Sequence, residues 1–194
     1  MDHDGVVFVE RLDGLATVVL NRPDKLNALN KEMWARLGPI FTDLHNDETV
    51  RCVVLRGAGH KALGPGADIK EFELERANSS KASEYGKLMH NAMTAIAECR
   101  HPVIARIQGL CVGGALELAA VCDLRIASDK SRFGIPVNRL GLVMSHYEMA
   151  GLIELVGKSI ALEILFEGRI FDADEAYNKG LLNKVVLDKD LDLE

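Results

Sequence analysis

The segment at residues 108–120, whose sequence is QGLCVGGALELAA, constrains the fold of this chain most strongly. It begins with glycines and continues into small apolar residues that favour a helix. Glycine allows a ligand or another backbone segment to approach closely, and the start of a helix presents free N–H groups. A carbonyl oxygen that gains negative charge would be stabilised there. Gly114 and Glu117 are three residues apart, so they share one helix face and could act together.

This segment alone is more consistent with a structural role than with catalysis, because a glutamate in a first helical turn stabilises a helix without any catalytic function. A second glycine-rich segment, residues 57–66, is predicted to be a loop, and it also follows an apolar strand and precedes helical residues near Asp68. The two segments could each provide one backbone N–H to the same oxygen, one at Gly66-Ala67 and one at Gly113-Gly114. Such a pair stabilises an enolate or a tetrahedral oxyanion. Neither segment fits a dinucleotide-binding or P-loop motif, and no serine stands in a GxSxG motif.

Strands and helices alternate along the chain, which predicts an α/β architecture with parallel pairing. The predicted strands are residues 6–11, 15–20, 52–55, 102–107, 123–127 and 181–186. Asp13-Gly14 predicts a hairpin between the first two. The predicted helices are residues 31–45, 80–99, 147–156, 159–166 and 172–178, with Asn30 capping the first and Gly38-Pro39 kinking or ending it early. No linker or repeat interrupts the pattern, so we expect a single domain at residues 1–194.

Composition excludes several functional classes. The net charge is −6, which argues against nucleic-acid or anionic-membrane partners, although local cations could still hold a small anion. No apolar run is long enough to span a membrane, and the acidic N-terminus does not resemble a signal peptide, so we expect a cytoplasmic protein. The four cysteines lack CxxC spacing, which predicts buried, reduced thiols and neither a zinc site nor a redox pair.

Five segments, in this order, resemble the crotonase (enoyl-CoA hydratase/isomerase) superfamily. They are NRPDKLNAL at 21–29, ALGPGADIK at 62–70, QGLCVGGALELA with Cys122-Asp123 at 108–123, FGIP at 133–136, and GRIFDA with Glu175-Ala176 at 168–176. The resemblance implies a crotonase-like ββα spiral that acts on acyl-CoA thioesters, with coenzyme A as part of the substrate and with no separate cofactor or metal. It also implies a homo-oligomer, either a trimer or a hexamer.

The resemblance assigns roles by position. The N–H groups of Ala67 and Gly114 would hold the thioester oxygen. Glu117 aligns with the first of two hydratase glutamates, which works on water or on a substrate proton, and burial would raise its pKa to a useful value. The substrate-binding residues implied are Lys25, Ala28, Ala67, Asp68, Ile69, Lys70 and Gly114. Of these, Lys25 and Lys70 are equally consistent with ordinary solvated lysines.

The chain departs from the family pattern at two places. Hydratases have a second glutamate directly after the FGIP proline, where this chain has Val137. Glu148 is the candidate for a second acid or base, with His146 and Tyr147 as alternatives, but we favour helix capping for Glu148. Family members also continue through a C-terminal helical region, most of which this sequence lacks. An artificially shortened chain, a naturally short paralogue and loss of residues all remain open.

The sequence therefore predicts an acyl-CoA-processing enzyme of the enoyl-CoA hydratase/isomerase type that stabilises a thioester enolate and retains one glutamate. Because Val137 cannot transfer a proton, one-base isomerisation, slow hydration and other reactions remain open. One alternative is a non-catalytic acyl-CoA binder or assembly subunit. Another is a CoA-thioester hydrolase or decarboxylase on the same scaffold.

Overall fold

A computed structural model describes residues 5–75 and 77–194. Residues 1–4, on which the interpretation of the acidic N-terminus depends, lie outside the described residues. The strands are β1 (Val7–Leu12), β2 (Leu15–Leu20), β3 (Cys52–Gly57), β4 (Ala62–Gly64), β5 (Val103–Ile107), β6 (Leu110–Val112), β7 (Leu124–Ser128), β8 (Arg132–Gly134), β9 (Phe171–Asp172) and β10 (Lys184–Val186). The α-helices are α1 (Lys31–Asn46), α2 (Phe72–Glu75), α3 (Ser79–Ala97), α4 (Gly114–Ala120), α5 (His146–Glu167) and α6 (Ala173–Asn178). The 3₁₀ helices are Pro23–Lys25, Ile69–Glu71, Val137–Leu140 and Asp188–Leu193.

The strands form two sheets. The larger sheet has the order β1-β2-β3-β5-β7-β10 and is parallel except for the β1–β2 hairpin. The smaller sheet has the order β4-β6-β8-β9, in which only the β8–β9 pair is antiparallel. The predicted α/β class, the parallel pairing and the hairpin at Asp13-Gly14 are confirmed.

The smaller sheet was not predicted, and the assignment of residues 57–66 entirely to a loop was wrong because it contains β4. The strands of this sheet have only two or three residues, which is too short to show an alternation of apolar and polar residues in the sequence. The last strand is also shorter than predicted, since Leu181 and Leu182 are buried but precede β10.

The helices follow their sequence signals closely. The Asn30 side chain accepts a hydrogen bond from the Met33 N–H and caps α1, as predicted. Pro39 lies inside α1 without ending it. The two helices predicted at 147–156 and 159–166 are the two halves of α5, which are separated by Gly157 in a non-helical conformation. No helix in the described part of the chain combines the length and the hydrophobicity needed to span a membrane.

The four cysteines are free thiols, and only two of them are buried as predicted. Cys111 and Cys122 lie in the core, where burial raises the pKa of both thiols, that of Cys122 to about 12. Cys52 and Cys99 are only partly buried; Cys52 is the first residue of β3, and Cys99 follows the end of α3.

Arg125 connects α4 to the larger sheet. This guanidinium is only 4% exposed, and it donates hydrogen bonds to the carbonyls of Ala119, Cys122 and Leu181 and to the Asn183 side chain. Two of these carbonyls lie at the C-terminal end of α4, where a cation is also favoured by the helix dipole. Arg125 therefore fixes the end of α4 that is farther from Gly114.

We expect Arg125→Met to lower the free energy of unfolding by about 3 kcal/mol or more, because it leaves several buried carbonyls without donors. Urea denaturation followed by circular dichroism measures this change. Arg36→Met is the matched control, since Arg36 is exposed and its ion pair among the described residues is with Glu32 on its own helix. Equal losses for the two variants would contradict the role assigned to Arg125.

Candidate active site

The two glycine-rich segments meet because β4 and β6 are adjacent parallel strands. Ala62 is paired with Leu110 and Gly64 with Cys111, so both strands deliver the chain to the same end of the smaller sheet. Beyond β4, the backbone continues alongside Leu29, whose N–H donates to Gly66 O at 2.8 Å and whose carbonyl accepts from Asp68 N at 2.8 Å. Ala67 is therefore held between two anchored neighbours.

The backbones of the two segments are in close contact around Gly66, Gly113 and Gly114. A Cβ atom at Gly66, where φ is +106°, would lie 3.2 Å from Val112 O and 3.5 Å from Gly114 N. A Cβ atom at Gly114 would lie 3.9 Å from Ala67 N. In the described chain, neither the Ala67 N–H nor the Gly114 N–H donates to a protein acceptor. Two neighbouring N–H donors thus remain available to a ligand.

Glu117 lies on the first turn of α4, one turn after Gly113, whose carbonyl accepts from the Glu117 N–H at 3.0 Å. Its side chain is buried, with 5% exposure, in a helix whose residues are all buried. It lines a cavity of about 300 Å³ together with Ala67 and Gly114. The structure therefore brings the three predicted catalytic residues to one cavity.

Val137 begins the 3₁₀ helix at Val137–Leu140 and lines the same cavity. An apolar group thus occupies the wall position where the family pattern has a second carboxylate. Arg139, two residues further on, also lines the cavity and was not identified from the sequence. Its position three residues after the FGIP proline is the sequence feature that could have indicated it. The charged groups that line this cavity in the described structure are Arg139, Glu117 and Glu148.

Glu148 forms a capping box at the start of α5. Its carboxylate accepts from the Ser145 N–H at 2.6 Å, and the Ser145 hydroxyl accepts from the Glu148 N–H at 3.3 Å. This is the structural role favoured from the sequence. A second cavity adjoins the one that Glu117 lines, and His146 lines neither of them. Tyr147 lines the second cavity, and its ring centroid lies 5.1 Å from that of His90.

The residues predicted to contact coenzyme A lie together, but not all line the cavity. Ile69 is half exposed and lines it, while Lys25 and Lys70 are exposed at the surface. Ala28 and Asp68 are joined by Arg22, which donates to Ala28 O at 2.6 Å and to the Asp68 carboxylate at 2.9 Å. Arg22 belongs to the first motif, but the sequence did not predict this role.

Asn27 fixes the first motif against β4. It is 1% exposed and adopts a left-handed conformation with φ of +62°. Its amide donates to the carbonyls of Ala58 and Ala62, and its Oδ1 accepts from the Arg22 N–H. The first motif therefore orients Arg22 and Leu29, which hold the segment that carries Ala67.

Comparison with known proteins identifies the family of this chain. A model of the enoyl-CoA hydratase/isomerase family matches residues 10–194. A short-chain-enoyl-CoA hydratase from Clostridium acetobutylicum is 37% identical over 180 residues, which are 93% of this chain and 68% of that protein. A crotonyl-CoA hydratase from Syntrophomonas wolfei is 34% identical over 185 residues, covering 95% of this chain and 70% of that protein.

Solved structures give the same result for the fold. An enoyl-CoA hydratase/carnithine racemase from Magnetospirillum magneticum has 47% sequence identity and a TM-score of 0.95, and the match covers 97% of this chain and 71% of that one. An enoyl-CoA hydratase from Mycobacterium smegmatis has 36% identity and a TM-score of 0.91. The predicted crotonase-like fold is confirmed, and the chain belongs to the enoyl-CoA hydratase/isomerase family.

Proposed function

We propose that this chain binds an acyl-CoA thioester with its carbonyl oxygen between the N–H groups of Ala67 and Gly114. Family membership indicates an enzyme of the enoyl-CoA hydratase/isomerase type. The finer proposal rests on one observation: two N–H donors without protein acceptors and a buried carboxylate line the same cavity of about 300 Å³. Donors fixed before the reaction stabilise the enolate oxygen without any reorganisation cost.

Glu117 is the proton-transfer group in this proposal. For isomerisation of a 3-enoyl thioester, it removes a proton from the α carbon, the enolate forms, and the same carboxyl returns the proton to the γ carbon. For hydration of a 2-enoyl thioester, it takes a proton from water while the hydroxide adds to the β carbon, and a proton must then reach the α carbon. Because Val137 cannot supply that proton, one-base isomerisation or slow hydration fits this site better than two-glutamate hydration.

The alternative function is a non-catalytic acyl-CoA binder. Two observations favour this function. Val137 in the cavity wall cannot transfer a proton, and the Glu148 carboxylate caps a helix. Glu117 is then the buried carboxylate that lines the cavity. Incubation with 2-enoyl-, 3-enoyl- and 3-hydroxyacyl-CoA, followed by mass spectrometry, distinguishes the two functions. Binding without any product would support the binder. Release of free CoA or CO₂ would indicate thioester hydrolysis or decarboxylation.

We expect Gly114→Pro to reduce kcat by about 10²–10³-fold, because it removes one of the two N–H donors. Gly114 is the first residue of α4, a position where proline is compatible with a helix. Ser79→Pro is the matched control, since Ser79 is the first residue of α3 and lies outside the cavity. Circular dichroism checks that both variants fold. Equal turnover by the two variants would contradict the assignment of Gly114.

Conversion of each carboxylate to glutamine distinguishes the role of Glu117 from that of Glu148. Glu117→Gln should lower kcat by about 10²–10⁴-fold, because the amide cannot transfer a proton. Glu148→Gln should change kcat by less than about twofold, because glutamine also completes a capping box. The product assay described above measures both. A comparable loss in the two variants would make Glu148 a second acid or base, and unchanged turnover for Glu117→Gln would refute its role.

Val137→Glu tests whether the missing second carboxylate limits hydration. We expect hydration of crotonyl-CoA to rise about tenfold or more, since the new carboxyl can protonate the α carbon. An acidic residue is also compatible with the first turn of a 3₁₀ helix. Val137→Gln has the same length but transfers no proton, and it should give no increase. An equal effect of both substitutions on the hydration rate would count against the explanation.

A further inference from the structure

A second cavity of about 650 Å³ adjoins the cavity that contains Glu117. Met89, Val143, Met144 and Glu148 line both cavities, so the two cavities lie side by side. Their sizes are within the range of small-molecule binding sites. A ligand whose thioester is held at Ala67 and Gly114 can therefore extend past Met89 into the second cavity, which we call the α3 groove.

The α3 groove lies between one face of α3 and the segment at residues 143–148. The residues of α3 that line it recur every three or four positions, so they form one helix face; they are Ala82, Ser83, Gly86, Lys87, Met89, His90 and Met93. From Met89 to Ala82 the helix rises about 10 Å, which accommodates several methylene groups. Three of the six methionines of the chain line the groove, and flexible thioether side chains adapt to apolar ligands of differing shape.

Gly86 keeps the middle of this groove open. Glycine is unfavourable inside a helix, and Gly86 has no positive φ that would require it. A Cβ atom at Gly86 would meet no heavy atom within 4 Å. By contrast, a Cβ atom at Gly151 in α5 would lie 2.6 Å from a methyl carbon of Val121. Neither backbone geometry nor packing within the described chain therefore explains Gly86, and its effect is to widen the groove.

We propose that the distal part of the acyl chain lies in the α3 groove over Gly86, so that this protein favours acyl groups longer than crotonyl. This inference rests on the proposed function, because it takes the thioester position from Ala67 and Gly114. An acyl chain is the occupant because the groove adjoins the cavity of Glu117, with which it shares four lining residues, and because Gly86 and three methionines are among the residues that line it. Lys87 and His90 also line the groove, and both are exposed.

The expected size of the preference follows from the burial of methylene groups. Each buried methylene contributes about 0.8 kcal/mol, which corresponds to about fourfold in kcat/KM at 1.36 kcal/mol per tenfold. We therefore expect kcat/KM to rise by up to about fourfold per added methylene from crotonyl-CoA to octenoyl-CoA. A side chain that fills the groove at Gly86 should remove this gain.

The experiment compares Gly86→Leu with the unmodified chain and uses the ratio of kcat/KM for octenoyl-CoA to that for crotonyl-CoA. We expect Gly86→Leu to lower this ratio at least tenfold, and Gly86→Ala to lower it by a smaller factor. Ser80→Leu is the matched control, because Ser80 is an exposed residue of α3 outside the groove, and it should leave the ratio unchanged. Circular dichroism confirms folding of each variant.

If the protein turns over none of these substrates, the proposed function fails, but the inference is still tested by binding. The ratio of the calorimetric Kd for butyryl-CoA to that for octanoyl-CoA then replaces the ratio of kcat/KM values for each variant. An unchanged ratio in Gly86→Leu, measured by either method, would overturn the proposal. So would a ratio in the unmodified chain that favours the shorter acyl group. A change in self-association without a change in the ratio would show that a protein segment occupies the groove instead.

Discussion

The parallel pairing of β4 with β6 is the interaction on which the active-site geometry depends. Each strand has three residues, and a glycine, Gly66 after β4 and Gly113 after β6, lies between the strand and the next helical segment. The pairing places Ala67 N and Gly114 N close together although they are separated by 47 positions in the chain. Because the backbones touch at Gly66 and Gly113, a side chain at Gly66 would press against Val112 O and alter the spacing of the two donors.

The remainder of the fold keeps this pair of donors rigid. At one end of α4, the Gly113 N–H donates to Gly134 O at 2.9 Å, which ties the helix start to β8. At the other end, the Arg125 guanidinium donates hydrogen bonds to the carbonyls of Ala119 and Cys122, and its burial lowers its pKa. Side-chain hydrogen bonds from Asn27 to Ala62 O and from Arg22 to Asp68 hold the segment that carries Ala67 in place. Catalytic donors that are held from several sides lose little energy to reorganisation during a reaction.

The sequence predicted the larger elements because their signals are local. The helix α1 has an Asn30 cap and apolar residues at helical spacing, and the β1–β2 hairpin has an Asp13-Gly14 turn. It did not predict the smaller sheet, whose strands are defined by neighbours far away in the chain. The ordered motifs indicated Gly114 and Glu117. The roles of Arg125, Arg22 and Arg139, by contrast, required coordinates. The contacts of these arginines join residues that the sequence does not show to be adjacent.

The most direct test of the account is the infrared absorption of the thioester carbonyl in a bound enoyl-CoA, with ¹³C at the carbonyl carbon to identify the band. Two N–H donors at Ala67 and Gly114 should polarise the carbonyl, so the band should move to lower wavenumber on binding than in water. This measurement does not depend on which reaction follows, and it applies even if the protein only binds its ligand. An unshifted carbonyl band in the saturated complex would contradict the assignment of these two donors.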